Sequence, residues 1–229
     1  MSHATPPSSV LDPRQAPCVG DGRHEPRPAA ARLSPNGLRA LFAAPPVWEP
    51  ELRHEPRFTD RAPAEAAVLM PLVQRDNGLH LLLTERTYGL STHAGQIALP
   101  GGRIDAGDAH AVAAALREAD EEVGLPASHV ETLGTLPVYV TGTAFVVTPV
   151  VALVRPGFVL RPNPQEVADV FEVPLDFLMN PAQHRVHEME WRGERRRWYA
   201  MPYHDGERER YIWGATAGML RNLYRMLLA

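Results

Sequence analysis

The chain contains no lysine: all 23 of its Lys-plus-Arg positions are arginine. That excludes the lysine of a phosphate-binding P-loop and any lysine Schiff base. Cysteine is almost as scarce. Cys18 stands alone, so neither an internal disulfide nor a cysteine-built zinc site can form. No apolar run approaches the ~18 residues of a membrane span. The first residues lack the apolar stretch of a secretory signal, and the expected compartment is a reducing cytoplasm. Positive charge is not in excess either: the formal net charge is −4 over 229 residues, which argues against general attraction to nucleic acid or membrane. Residues 1–32 hold six prolines and no Phe, Tyr or Trp, a composition that predicts a disordered tail.

What remains is enough for one sizeable core. Ser34 with Pro35 reads as the start of a first helix with Leu38, Leu41 and Phe42 as its apolar stripe, and Pro45-Pro46 ends it. Residues 33–63 are therefore an N-terminal helix followed by an irregular wrap, and residues 64–229 the main domain. Ala66 to Val73 and Leu79 to Arg86 flank the tight-turn signal Asp76-Asn77-Gly78 and predict a hairpin. A short strand is expected over Gln96 to Leu99, further strands between Thr132 and Val140, and an apolar strand over Phe145 to Val154. Arg185 to Tyr203 suggests a hairpin turning at Arg192-Gly193-Glu194, and a final helix follows Trp213. Strand and helix signals interleave without a regular βαβ repeat, which predicts a mixed sheet between helices. Arg195, Arg196 and Arg197 would split between the two faces of a strand.

The stretch that carries chemistry runs from Leu99 to Leu125, LPGGRIDAGDAHAVAAALREADEEVGL. The glycine turn Pro100-Gly101-Gly102 lets backbone approach a ligand closely. An Ala-rich helix follows, stopped at Gly124 and confirmed by Pro126. Glu118, Glu121 and Glu122 share one helix face at spacings of three and four, and Asp120 points away. Three carboxylates this close repel one another. A hard divalent cation with oxygen ligands removes that cost.

These residues resemble the Nudix family. Gly102 matches the first glycine of the Nudix box, and Arg117-Glu118-Ala119-Asp120-Glu121-Glu122-Val123-Gly124-Leu125 matches its second half without a gap. Asp108 stands where the first glutamate of the box is expected, and eight residues rather than seven separate it from Arg117. The upstream stretch resembles the coenzyme A pyrophosphatases of that family through Leu82, Leu83, Thr84, Arg86, Gly95, Pro100, Gly101 and Gly102. Thr87, Ser91 and Leu99 depart from it, Ser91 replacing an arginine. Downstream, Asn163-Pro164-Gln165-Glu166-Val167 before Phe171-Glu172-Val173-Pro174-Leu175, and Trp213-Gly214-Ala215-Thr216, are also similar to the subfamily.

The resemblance implies an α/β fold, an α/β/α sandwich with a mixed β-sheet. It implies hydrolysis, with Mg²⁺ or Mn²⁺, of a phosphoanhydride in coenzyme A or a derivative. Glu118, Glu121, Glu122 and the Gly102 carbonyl would hold the metal. Arg117 would orient a carboxylate, Glu166 would be an additional carboxylate near the metal or the attacking water, and Arg86, Gly95, Gly101 and Gly102 would bind substrate. The implied partner is a small nucleotide, not nucleic acid or membrane; oligomeric state is left open. Two alternatives remain at this point. One is a pyrophosphatase for ADP-ribose or dinucleotides, and the other is a non-catalytic Nudix module that senses a nucleotide.

Overall fold

The computed structural model describes residues 12–87, 95–191 and 193–229. Strands β2 (Ala64–Arg75) and β3 (Gly78–Arg86) form the predicted hairpin, with Arg75 facing Gly78 across it. On its other edge β2 runs parallel to β8 (Phe145–Val154) along ten register pairs from Ala64↔Phe145 to Val73↔Val154. The other strand-to-strand pairings of this sheet among the described residues are antiparallel. β8 carries β6 (Val130–Thr135) and β7 (Tyr139–Val140), while β3 carries β4 (Ile97–Ala98) and β9 (Val167–Pro174), and β5 (Gly101–Arg103) lies on β2. One parallel pair among antiparallel neighbours makes the sheet mixed, as the interleaved signals predict.

Period-two alternation sorts the strands between two cores. Met70, Leu72, Leu81, Leu83, Val151 and Leu153 face one side with Leu38 and Leu41 of helix α1 (Pro35–Ala43) and Leu220, Leu223 and Leu227 of helix α4 (Gly214–Leu228). Ala67, Leu69, Val73, Leu82, Val150 and Ala152 face the other, against Ala114, Ala115, Ala119 and Val123 of helix α2 (Ala111–Val123). The result is the α/β/α sandwich. Helix α1 begins where expected, with Ser34 Oγ accepting from the Gly37 N–H at 3.0 Å. Helix α3 (Leu175–Leu178) is a single turn after β9.

A second sheet has the order β1-β10-β11-β12, from β1 (Cys18–Asp21), β10 (Arg185–Trp191), β11 (Glu194–Asp205) and β12 (Arg208–Trp213). Met201 of β11 and Ile212 of β12 join the core that holds α4.

The expectation of a disordered tail over 1–32 is corrected for residues 12–32. Asp12 caps a short 3₁₀ turn at Pro13–Gln15. Strand β1 then pairs with β10, and the Ala16 carbonyl faces His187 Nδ1 at 3.0 Å. Glu25 reaches Arg221 of α4 at 2.6 Å, and the Pro26 carbonyl accepts from Tyr224 Oη at 2.7 Å. Composition misleads here because the segment is held by backbone pairing and ion pairs rather than by its own apolar side chains. Residues 1–11 lie outside the described residues.

Candidate functional site

The hairpin of β2 and β3 stays paired only from its turn to Leu72↔Leu81. Beyond that the strands part, with β4 on β3 through Thr84↔Ala98 and β5 on β2 through Ala67↔Gly102. The link between β4 and β5 is pinned by the Leu69 N–H, which donates to the Pro100 carbonyl at 2.8 Å. Gly101 is required by the backbone here, and Gly102 makes room for a side chain. Gly101 has φ +155°, and a Cβ on it would lie 2.4 Å from the Ala67 carbonyl oxygen. At Gly102 a Cβ would meet the Glu118 carboxyl carbon at 2.5 Å and push that carboxylate off the strand. Small residues on the buried face of α2 bring the helix down onto the sheet.

The three helix carboxylates differ in environment. Side-chain exposure is 5% for Glu122, 16% for Glu118 and 59% for Glu121, which puts Glu121 at the rim. Glu122 Oε2 accepts from the Gly101 N–H at 3.1 Å, and its Oε1 lies 3.7 Å from Arg86 Nη1. Burial pushes the Glu122 carboxyl up to about 7; the charges of Glu118 and Glu166 push the same way, and Gly101 and Arg86 oppose them. Burial also raises Glu118, opposed by Arg117 and reinforced by Glu121 and Glu166.

Arg117 is the hub of the helix face. Nη1 donates to Glu118 at 2.9 Å and to Glu121 at 3.0 Å. Nε and Nη2 fork onto Asp108 at 3.0 and 2.9 Å, and Nη2 also donates to the Arg103 carbonyl at 3.1 Å. Arg117 and the Asp105 N–H hold Asp108 below the usual carboxylate range. The sequence left the role of Asp108 open. The longer loop still delivers its carboxylate to Arg117.

Glu166 arrives from the loop before β9. The Arg161 and Asn163 N–H groups donate to the Val123 and Glu122 carbonyls, each at 2.8 Å, and so cap the end of α2. The Glu166 carboxylate is felt by both Glu118 and Glu122. Arg86, Gly101, Gly102, Arg117, Glu118, Glu122 and Glu166 thus share one neighbourhood, with Glu121 at its edge. The Gly95 N–H donates to the Arg86 carbonyl at 3.1 Å. Ser91, singled out in the sequence, lies outside the described residues. Arg195 and Arg196 do split between faces: Arg195 pairs with Glu188 at 3.3 Å, and Arg196 stacks on Phe58 at 5.4 Å. Asn163 had no role in the sequence reading beyond its place in the Asn163-to-Val167 segment, although Asn-Pro is a turn signal.

Among the described residues, no three His, Cys, Asp or Glu side chains already form a metal-ligating cluster. The donor set nonetheless fits a hard divalent cation. Glu118, Glu121 and Glu122 each keep one carboxylate oxygen outside the hydrogen bonds to Arg117 and Gly101. Burial and mutual repulsion at Glu118 and Glu122 are costs that a cation relieves.

The NUDIX domain family matches residues 63–199. An Escherichia coli protein described as an uncharacterized Nudix hydrolase, NudL, is 43% identical over 159 residues, 69% of this chain and 80% of its own. A Shigella flexneri protein of the same description is 41% identical over 177 residues, 77% of this chain and 88% of its own. A solved Nudix hydrolase from M. smegmatis, RenU, is 29% identical with a TM-score of 0.43, covering 51% of this chain and 73% of that one. Since the family match takes in the split hairpin, the glycine turn and the carboxylate helix together, this chain belongs to the Nudix hydrolase family.

Proposed function

We propose that this chain hydrolyses the phosphoanhydride of a nucleoside diphosphate linked to another moiety, and that coenzyme A or a derivative is the favoured substrate. The products are then 3′,5′-ADP and 4′-phosphopantetheine or its acylated form. The observation that carries this reading is the crowding of Glu118, Glu122 and Glu166 beside the glycine strand, with Arg86 facing Glu122 at 3.7 Å. The coenzyme A part rests on the stretch from Leu82 to Arg86, on Gly95 and on Glu166-Val167.

Glu118, Glu121, Glu122 and the Gly102 carbonyl would hold Mg²⁺ or Mn²⁺. Such a cation, when bound, polarises phosphoryl oxygens and lowers the pKa of a bound water. Arg86 offers a planar fork to the diphosphate oxygens. Arg117 keeps Glu118 and Glu121 turned toward the site, and its own charge is spent on Asp108 rather than on substrate. The proton of the attacking water goes to one of Glu118, Glu121 or Glu166.

The test is kcat/KM for coenzyme A, dephospho-coenzyme A and ADP-ribose with Mg²⁺ and with Mn²⁺. Cleavage of coenzyme A in excess of ADP-ribose is expected. A tenfold preference for ADP-ribose would overturn the coenzyme A assignment and leave a dinucleotide-type pyrophosphatase. Binding without turnover of any of them would make the chain a nucleotide sensor.

A further inference from the structure

Asn163-Pro164-Gln165-Glu166 forms a turn in which one residue makes most of the bonds. The Asn163 carbonyl accepts from the N–H groups of Glu166 at 3.0 Å and Val167 at 2.8 Å, while its own N–H caps Glu122. Its side chain is used at both ends. Oδ1 accepts from the Gln165 N–H at 3.1 Å, and Nδ2 donates to Glu166 Oε1 at 3.3 Å. The orientation of the amide is unambiguous, because the reverse flip would set its oxygen against a carboxylate and its NH₂ against an N–H. Asparagine alone among short side chains supplies that acceptor and that donor on two separate atoms, each aimed at its own partner.

Glu166 needs such a donor. Its charge acts unfavourably on both Glu118 and Glu122. Among the described residues no ion pair holds its carboxylate; the side-chain amide of Asn163 does. Released, the carboxylate would turn away from the two glutamates it repels.

We infer that Asn163 is a positioning residue, holding the Glu166 carboxylate toward α2 while its backbone ties the same turn to the end of that helix. The inference rests on the phosphoanhydride-cleaving function proposed above. It predicts a specific asymmetry. Asn163→Ser keeps an oxygen for the Gln165 N–H and loses the amide NH₂ that reaches Glu166, its hydroxyl sitting one bond short of that nitrogen. Asn163→Asp also keeps the oxygen but sets a second charge against Glu166.

In the full chain, with coenzyme A and Mg²⁺, Asn163→Ser should lower kcat about tenfold, the size expected for one lost hydrogen bond to a charged group. Its KM should stay within about twofold, because the loss falls on the reacting step rather than on binding. Glu166→Gln should lower kcat at least as far, and the double variant should be no slower than Glu166→Gln alone. In EDTA, without substrate, Asn163→Asp should melt below Asn163→Ser, and adding Glu166→Gln should restore it. Wild-type kcat in Asn163→Ser, additive losses in the double variant, or no rescue of Asn163→Asp by Glu166→Gln would each overturn the inference while the enzyme stays active. If wild-type protein turns over none of coenzyme A, dephospho-coenzyme A and ADP-ribose, the functional reading itself fails and the positioning role falls with it.

Discussion

At the scale of single residues, two buried groups have opposite problems. Glu122 is a carboxylate in the interior of the site, and replacing it with glutamine keeps an acceptor for the Gly101 N–H while removing the charge. On the function proposed above, turnover should fall by about a hundredfold or more, because a proposed ligand to the cation is lost. In EDTA the melting temperature should rise, since the repulsion with Glu118 and Glu166 is gone. Near wild-type turnover in Glu122→Gln would remove this residue from the metal assignment. His184 is fully buried, with Nε2 at 2.7 Å from the Leu178 carbonyl and Nδ1 accepting from Arg221 Nη1 at 3.0 Å. These partners demand the neutral ring, and burial pushes its pKa down to about 4. The unfolded chain takes up this proton near pH 6.5, and the folded chain does so only near 4. The His184 contribution is therefore complete above about pH 6.5 and is lost as pH falls toward 4, by roughly 3 kcal/mol in all. Urea midpoints of wild type and His184→Gln should converge across that window. An NMR titration should find the ring neutral at pH 5.5, and protonation near 6.5 would refute this account.

At the scale of elements, the segment around β1 is a structural strap. Arg221 is 2% exposed and takes Glu25 at 2.6 Å and Glu51 at 2.8 Å. Breaking a buried ion pair costs ~3–5 kcal/mol. Retained Glu51 lessens that, and loss of β1 from β10 adds to it. Deleting residues 1–32 should therefore lower the melting temperature by roughly 10 °C or more, at about 2–4 °C per kcal/mol for a chain of this size. Glu25→Ala alone should show part of the effect. A deletion that melts like the full chain would return this segment to the status of a loose tail. The Asp108 loop follows the same logic on a smaller scale: one ion pair sets where an irregular stretch lies.

At the scale of the whole molecule, the two sheets share one core. Met201 and Ile212 from the small sheet, Met70 and Leu81 from the large one, and Leu220 and Leu223 of α4 belong to a single buried cluster. The chain should unfold as one unit even though the family match ends at residue 199. Indole fluorescence, which includes Trp198 and Trp213 on the small sheet, should lose its native signal at the same urea concentration as far-UV circular dichroism. Two separated transitions would show that the small sheet is an independent unit.

The sequence by itself determined the elements whose cause is local. Ser34-Pro35 starts α1, the Asp76-Asn77-Gly78 turn closes a hairpin, and Gly124 ends α2 in the left-handed conformation at φ 67°. It also determined that three glutamates lie on one helix face, because helical spacing alone requires it. Tertiary structure decided what that face meets. Whether Glu122 is buried and whether Glu166 comes near it depend on strands and loops distant in sequence, and whether Asp108 reaches Arg117 depends on how the loop before α2 folds back on the helix. The order of residues 12–32 was decided in the same way. Their partners, His187, Arg221 and Tyr224, lie some 170 to 200 residues further along the chain, and no local composition reports a bond made across that distance.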